Sequence, residues 1–588
     1  MTMAAVGRHR VLDAPRLTVP ALVAVLQGAL ILGPALGRGV VVAYDMPWSP
    51  DPRWTPFVLG LGTPAPRAVP SDAAAVLLGK VVGASLAQDL VLLAILTGLG
   101  VGAAKLMGEL WPQARTTALV AVSVAAVWNP YVHERLAAGQ WVVVLGLAVL
   151  PWGLSGTLRA LHGRAGLKAV ALPVAVASLG GINALFIVML SVFTMALTAV
   201  AARRDRHSLR VAGASLAVAA GGSAAWGLPG LMTGAAVDPA GVSVFGPVAD
   251  TPLGVLGSLV SGGGFWNVAT HPVTRNVPLL AVVAAVVATT ALVAFTLASR
   301  RFLGPRQAAP LLMAVALPTG FVLLSALPET SGLWTAAVTG LPGGGALRDS
   351  QKFMAAWVLA IALGLGVLVQ WTAERATRDV AVPACALLVG LPIALSATLG
   401  WGVAGQLDAM SVAPGYRTAV SKFAALPPGD VGLLPWSQYR RYDWNDSRVS
   451  LTLAPRMIDR VVVFDDSLPL RAGTIGGESE RARAVSEALL AGVAPQDALR
   501  EVGVRYVAAE LRAGELVDES ALRASGHVVV DDTRLLIVDI GGPEHDPAIS
   551  ATALIGWTVT LITVLGVFSG AAAGPVRRMA AALLKSLP

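Results

Sequence analysis

Long apolar runs separated by short basic clusters dominate this sequence. Runs such as 86–104 and 353–371 contain one charged side chain or none, and about 20 apolar residues are enough for an α-helix to cross the hydrocarbon core of a bilayer. Inside a bilayer each backbone polar group must be hydrogen-bonded within the protein, so runs of this length fold as helices. The sequence therefore predicts a polytopic α-helical membrane protein.

Counting these runs predicts about 12 transmembrane helices. Ten lie near 17–42, 86–104, 116–130, 141–157, 209–228, 277–298, 309–327, 353–371, 380–403 and 549–573. The run 168–202 supplies two more, because the glycines of "LGGIN" interrupt it and basic clusters flank both of its ends. Basic flanks tend to stay on one side of the membrane. Both ends of this run should therefore lie on the same side, and we expect a hairpin of two spans.

Basic residues fall in alternate loops along the whole chain, as in "RRDRHSLR" after residue 202. Basic loops stay on the cytoplasmic side, so we expect a plasma-membrane protein with both termini in the cytoplasm. This pattern also accounts for the net charge of +8 through lipid headgroups rather than through nucleic acid. The single cysteine, Cys385, excludes an intrachain disulfide framework or cysteine metal cluster.

The longer loops lie on the opposite, extracytoplasmic face and divide the chain. We expect a transmembrane domain over 1–403 whose outer loop 43–85 carries a surface-lying helix. Segment 404–548 has alternating runs such as "RVVVFDD" beside helical patterns, which predicts a small extracytoplasmic α/β domain. A final span and a basic cytoplasmic tail occupy 549–588.

Several polar residues at the outer ends of spans need a reason, because charges near a bilayer are costly unless they pair or face a cavity. The first is Asp45, directly after the first apolar run, with Asp51 and Asp89 nearby in sequence. Four further groups gather on the same face: Asp89; His133, Glu134 and Arg135; His271 and Arg275; Arg348 and Lys352. A carboxylate can act as a general base on a hydroxyl group, and Arg or Lys can neutralise a leaving phosphate. The alternatives are a helix-terminating Asp, ordinary loop histidines and basic residues anchored to headgroups.

Four stretches carry a resemblance: "YDMPWSPDPRW", "WNPYVHERLAAGQW", "LRDSQKF" and "GLLPWSQYRRYDW". With the order of spans and loops, the chain resembles the GT-C superfamily of polyprenyl-phosphate-sugar-dependent glycosyltransferases. Within it, these stretches are similar to actinobacterial cell-wall arabinofuranosyltransferases and mannosyltransferases.

The resemblance implies an inverting transfer on the outer face of the membrane, from a polyprenyl-phosphate sugar to a cell-envelope glycan or glycolipid. Asp45 takes the place of the family's catalytic carboxylate. Arg348, Lys352 and Arg275 become candidates for the donor phosphate. The acceptor or pocket candidates are His133, Glu134, His271, Trp436 and Tyr439.

The chain departs from many members of that superfamily, which carry two adjacent acidic residues in the first outer loop. Here Tyr44 and Met46 flank Asp45, which leaves Asp51 or Asp89 as alternative bases. It also leaves open a transporter or flippase, or a non-catalytic cell-envelope assembly factor. No resident cofactor or metal ligand set is assigned, and a requirement for a divalent metal stays open.

Overall fold

A computed structural model describes residues 14–62, 66, 68–232, 238–341, 343–470, 473–547 and 549–585. Within these ranges, nine helices are long and apolar enough to cross a membrane. They are Arg16–Leu36, Ala84–Leu110, Trp141–Leu161, Gly181–Arg203, Pro278–Leu303, Pro305–Ala326, Ser350–Arg375, Arg378–Leu395 and Ala551–Gly570. The polytopic helical class is confirmed.

The remaining three of the twelve predicted spans are helical but differ in form. Arg206–Gly222 and Ala224–Met232 form one pair bent by 70°. Thr116–Val127 and Lys168–Leu179 have 12 residues each, which is about 18 Å at 1.5 Å per residue and too short for a bilayer core of about 30 Å. The apolar runs themselves are short, because Arg115 and Asn129 bound the first helix and Gly180 ends the second.

The run 168–202 turns at Gly180 as expected, but only Gly181–Arg203 of its two helices is long enough to span the membrane. Arg203 Nη1 donates to the carbonyl of Leu161 (2.5 Å), and Arg16 Nη1 donates to Pro112 O (2.8 Å). These two arginines cap the ends of neighbouring helices. Lys168 Nζ donates to the carbonyl of Gly570 (2.6 Å), within the helix Ala551–Lys585.

The first helix ends earlier than the predicted 42, because "GPALGRG" interrupts it. A 3-10 turn occupies Gly33–Leu36 and a buried strand occupies Val40–Ala43. The strand pairs antiparallel with Met46–Pro47 and Ala409–Met410. It thus ties the first outer loop to Ala409–Met410, which follows the span Arg378–Leu395.

A five-stranded mixed sheet lies within 404–548. Its strands, in spatial order, are His527–Asp531, Leu535–Asp539, Tyr506–Glu510, Val431–Leu434 and Val462–Val463. Tyr506–Glu510 is antiparallel to Leu535–Asp539 and parallel to Val431–Leu434. The central strand, Tyr506–Glu510, and its parallel neighbour, Val431–Leu434, are fully buried, as expected for a sheet covered on two faces.

The two faces of the sheet bury different layers, because side chains alternate along a strand. One layer, containing Val507 and Val538, packs on the helices Glu480–Leu490 and Pro495–Glu501. The other layer includes Val40, Val42 and Trp48 from the first outer loop. The sheet region therefore shares its core with that loop and is fixed against it.

Shorter elements complete the described structure. The helices are Pro56–Leu59, Ser71–Val82, Pro130–Ala137, Pro239–Val244, Gly254–Val260, Pro328–Gly340, Pro414–Phe423, Ala454–Met457 and Glu519–Ala524, and two hairpins pair Tyr439–Arg441 with Val449–Leu451 and Leu468–Leu470 with Gly473–Ile475. The helix Ser71–Val82 lies in the outer loop 43–85, for which a surface-lying helix was predicted. Residues 63–65 and 67 of that loop lie outside the described ranges. The helix ends at Gly83, where the span Ala84–Leu110 begins.

Candidate active site

Asp45 lies in the tight turn between the strands Val40–Ala43 and Met46–Pro47. The preceding Tyr44 has a left-handed backbone (φ +41°), and the Asp45 amide donates to the carbonyl of Ala138 (3.1 Å). Gly139 permits this approach, because a Cβ there would lie 2.3 Å from the carbonyl oxygen of Ala43. The turn is thus held against the loop that follows the helix Pro130–Ala137.

One oxygen of the Asp45 carboxylate is held and the other is available. Oδ2 accepts a hydrogen bond from Gln140 Nε2 (2.9 Å), and no described residue hydrogen-bonds Oδ1. Burial raises the pKa of Asp45 above its usual range, although the hydrogen bond from Gln140 opposes that shift. A carboxylate that is desolvated in this way is a stronger base than one in water.

Arg135 fixes the orientation of Gln140. Its guanidinium has no acceptor, and Nη1 donates to Gln140 Oε1 (2.6 Å), so the amide nitrogen of Gln140 must face Asp45. Both Nη atoms of Arg135 also hold the Asp349 carboxylate (2.5 and 3.1 Å). The guanidinium lies 4.0 Å from the centre of the Phe265 ring. Arg135 is completely buried, so its pairing with Asp349 is what makes its charge tolerable there.

Asp45 opens onto a cleft of about 470 Å³, which we call the Asp45 cleft. Its lining is Asp45, Met46, Pro47, Trp48, Ser49, Pro52, Val58, Asp72, Ala75, Val76, Trp141 and Arg456. Arg456 Nε donates to Asp72 Oδ2 (2.7 Å). Residues from four distant parts of the sequence therefore meet at this cleft.

A second ionic cluster adjoins the first but is closed to solvent. Arg275 donates through Nε and Nη2 to the two oxygens of Asp250 (2.5 and 2.9 Å). Burial alone would raise the pKa of Asp250, but Arg275 outweighs it and holds that pKa below the usual range. Burial, and then the neighbouring Asp250, raise the pKa of Glu134 well above its usual range. This shift favours the protonated form of Glu134 beside the Asp250 carboxylate.

A larger cavity of about 680 Å³ lies beside this second cluster. Apolar side chains of the helices Pro278–Leu303, Ser350–Arg375 and Arg378–Leu395 form most of its wall. Arg275 and Asn129 contribute polar groups to the same wall. The cavity combines an apolar channel between spans with a polar patch, which suits an amphiphilic ligand.

The other acidic and histidine candidates lie outside the Asp45 cleft. Asp51 pairs with Arg53 (2.7 Å), and Asp89 is half-buried in the span Ala84–Leu110. His133 contacts the Thr270 carbonyl (3.2 Å) through Nδ1, and burial lowers the pKa of this histidine to about 4. His271 Nε2 contacts the Phe265 carbonyl (2.6 Å). Among the described residues lining the cleft, Asp45 is thus accompanied by one other acidic candidate, Asp72, which the sequence did not indicate.

The remaining candidates each have structural contacts. Arg348 lies 4.3 Å from the centre of the Phe245 ring, and Lys352 Nζ donates to Asn183 Oδ1 (2.9 Å). Trp436 Nε1 donates to Ser486 Oγ (2.9 Å), and Tyr439 begins a two-stranded hairpin. The structure does not bring these four side chains to the lining of the Asp45 cleft.

Sequence reasoning missed Gln140, Asp72 and Arg456. Gln140 lies in the quoted stretch "WNPYVHERLAAGQW", so an amide near a carboxylate was at least visible. Asp72 and Arg456 are 384 residues apart, and no local pattern links them. No group of three or more His, Cys, Asp or Glu side chains in the described ranges could hold a metal ion.

Comparison with known proteins gives matches by structure. No family model and no curated protein matches the chain. The cryo-EM structure of the arabinofuranosyltransferase AftD from Mycobacteria matches 92% of this chain with a TM-score of 0.58 at 17% sequence identity. Its R1389S mutant, class 2, matches 91% with a TM-score of 0.53 at 17% identity. This chain spans 40% and 42% of those two structures. At this identity the likeness shows the fold alone: the chain has the polytopic fold of the matched part of the AftD structure.

Proposed function

We propose that this protein transfers a sugar from a polyprenyl-phosphate donor to a cell-envelope glycan or glycolipid on the outer face of the membrane. The observation that carries the proposal is the Asp45 carboxylate, which lines a cleft and has one oxygen held by Gln140 while no described residue hydrogen-bonds the other. The likeness to AftD supports it at the level of the fold, and makes arabinofuranose the first donor sugar to test. Mannose is the second.

Asp45 acts as the general base in this proposal. Its free oxygen takes the proton of an acceptor hydroxyl while the acceptor oxygen forms a bond to the anomeric carbon of the donor sugar. The bond between that carbon and the phosphate oxygen breaks, and polyprenyl phosphate leaves with the electron pair. Attack opposite the leaving group inverts the anomeric centre.

The apolar cavity between spans is the candidate site for the polyprenyl chain. Lipid-facing apolar walls match the isoprenoid units, and Arg275 provides a cationic group at the wall of the same cavity. Arg348 and Lys352 stay proposed contacts of the donor phosphate. Their present partners, the Phe245 ring and Asn183 Oδ1, would be exchanged or shared on donor binding.

The direct test is the Asp45→Asn variant, which keeps the size of the side chain and removes the base. Purified protein in nanodiscs is supplied with a polyprenyl-phosphate arabinofuranose and a synthetic arabinofuranosyl oligosaccharide, and product is measured by mass spectrometry. We expect turnover to fall by about 10²-fold or more, the usual cost of losing a general base. The thermal unfolding midpoint should change little.

Asp89→Asn is the matched control, because it makes the same change on the adjacent span. Full activity of Asp45→Asn with loss of activity in Asp89→Asn would move the base to Asp89. No transfer by the wild-type protein from either sugar donor would favour a transporter, a flippase or an assembly factor instead.

A further inference from the structure

We propose that Arg456 and Asp72 form the acceptor-sugar subsite of the Asp45 cleft, and that this subsite selects a neutral polyhydroxylated sugar rather than an anion. The inference rests on the proposed glycosyl transfer and specifies which substrate this cleft holds. It assigns Arg456 and Asp72 a role in specificity that the sequence motifs did not indicate.

The Arg456 side chain is fixed so that part of its guanidinium stays available to a ligand. Its Nε is held by Asp72 Oδ2 (2.7 Å), and its guanidinium carbon lies 4.8 Å from the centre of the Phe57 ring. No described residue accepts a hydrogen bond from Nη1 or Nη2, although the Arg456 side chain is only 13% exposed. The Nη atoms are therefore pre-oriented donors at the wall of the cleft.

Asp72 offers the complementary acceptor. Its Oδ2 is occupied by Arg456, while no described residue hydrogen-bonds Oδ1, and its side chain is 17% exposed. Neighbouring hydroxyl groups of a sugar both donate and accept hydrogen bonds, so they can satisfy Asp72 Oδ1 and Arg456 Nη together. Trp48 and Trp141, whose ring centres are 5.8 Å apart, supply aromatic surface in the same cleft.

The charges of the cleft argue against a phosphate ligand. Among the described lining residues, two carboxylates, Asp45 and Asp72, accompany one guanidinium, that of Arg456. The cleft is therefore negative when both carboxylates are ionised and neutral when Asp45 is protonated. An anionic phosphate would be repelled or, at best, not attracted, whereas a neutral sugar avoids this cost.

The position of Arg456 also shows which part of the chain would choose the acceptor. Arg456 belongs to the helix Ala454–Met457, within segment 404–548. That helix is tied to the first outer loop by a buried hydrogen bond from Thr55 Oγ1 to Pro455 O (2.8 Å). The sheet-containing region thus contributes a ligand-binding group to a cleft whose base comes from the membrane region.

The test measures ligand binding by the full-length protein in nanodiscs, without turnover. Calorimetry compares a synthetic neutral arabinofuranosyl oligosaccharide with farnesyl phosphate, a short mimic of the donor lipid. We expect Arg456→Gln and Asp72→Asn each to weaken oligosaccharide binding by about tenfold, as for loss of a hydrogen bond to a charged group. Farnesyl phosphate binding should stay within about twofold of wild type.

Arg483→Ala is the control, because Arg483 lies in the same region with a 67% exposed side chain and should leave both affinities unchanged. If Arg456→Gln unfolds, Arg456→Lys replaces it, since lysine keeps the charge and loses the paired Nη donors. Asp72→Asn distinguishes the ligands most sharply. Stronger farnesyl phosphate binding in Asp72→Asn, with its loss in Arg456→Gln, would identify a phosphate site and overturn the proposal.

No oligosaccharide binding by the wild-type protein, or unchanged affinity in both variants, would also overturn it. These outcomes are separate from failure of the proposed transfer. An inactive wild-type protein can still show the oligosaccharide pattern, and a protein that requires Asp45 for transfer can still lack it.

Discussion

The helix Pro130–Ala137 carries two adjacent charged residues that enter opposite kinds of ionic cluster. Arg135 extends through Gln140 to one oxygen of Asp45, and no described residue hydrogen-bonds the other oxygen of this cleft-lining carboxylate. Glu134 adjoins Asp250, which is closed off by Arg275. Both clusters are buried and both contain a bidentate Arg–Asp pair. They differ in the aspartate: Asp45 keeps an oxygen that no described residue hydrogen-bonds, and Asp250 does not.

That difference separates a structural role from a chemical one. Both oxygens of Asp250 accept hydrogen bonds, from Arg275 and from the amide of Gly264, so this carboxylate has no oxygen left for a ligand. In the Asp45 cluster, Gln140 holds one oxygen of Asp45, and no described residue hydrogen-bonds the other. A general base requires a carboxylate oxygen that is free to accept a proton, so incomplete hydrogen bonding of Asp45 suits this role.

The largest effect in this comparison should come from Asp250→Asn. This change leaves the Arg275 guanidinium buried without its counter-charge, and removing one partner of a buried ion pair usually costs about 3–5 kcal/mol. We expect a clearly lower thermal unfolding midpoint in nanodiscs, with turnover per folded molecule reduced far less than by Asp45→Asn.

Asp349→Asn serves as its comparison, because Asp349 also accepts two hydrogen bonds from one buried arginine, Arg135, but its side chain is 21% exposed. It should destabilise the protein less, since water can replace part of the lost pairing. If Asp250→Asn left stability unchanged and abolished transfer, Asp250 would belong to the reaction chemistry and the distinction between the two clusters would fail.

Gln140→Leu should have an intermediate effect and act on rate rather than on folding. It removes the hydrogen bond that lowers the pKa of Asp45, so the acid limb of the kcat/KM profile should move to higher pH. It also frees the carboxylate to rotate. We expect turnover near neutral pH to fall by about tenfold, the equivalent of one hydrogen bond to a charged group.

Gln140→Glu gives the matching control, because it places a second carboxylate beside Asp45 and should shift the acid limb further in the same direction. Arg135 would still have an acceptor in that variant. A pH profile identical to wild type in both variants would show that Gln140 does not position the base.

Different parts of this molecule were predictable from sequence to different degrees, for physical reasons. A span such as Ser350–Arg375 follows from composition, because a bilayer accepts few alternatives to an apolar helix. Strands such as Tyr506–Glu510 follow from β-branched and apolar runs. Asp45 stood out because a charge directly after an apolar run is costly. The short helix Thr116–Val127 was wrongly predicted as a full span, because Arg115 and Asn129 leave too few apolar residues between them to cross a bilayer.

The cleft itself was not predictable in the same way. Asp45, Asp72, Gln140 and Arg456 meet only because a strand, a surface helix, a loop and the sheet region pack together, and a single sequence contains no record of those contacts. Arg275 illustrates the converse. It carries the expected charge at the expected end of a span, yet its pairing with Asp250 could be seen only in three dimensions.

The smallest effect should come from Glu134→Gln, and its sign depends on pH. Because burial and Asp250 raise the pKa of Glu134, the folded protein favours the protonated side chain, and the glutamine amide reproduces this neutral donor. Near pH 4 the two proteins should therefore differ in stability by no more than about 0.5 kcal/mol. A raised folded-state pKa contributes stability that is complete below the unfolded pKa and is lost as pH rises through the folded one. The wild-type protein should thus lose stability relative to Glu134→Gln as pH rises above the ordinary glutamate pKa of 4.5, as measured by unfolding midpoints between pH 4 and 8. A large loss of stability in Glu134→Gln at pH 7 would mean that Glu134 is ionised in the folded protein, and the closed cluster would then contain two negative charges against Arg275.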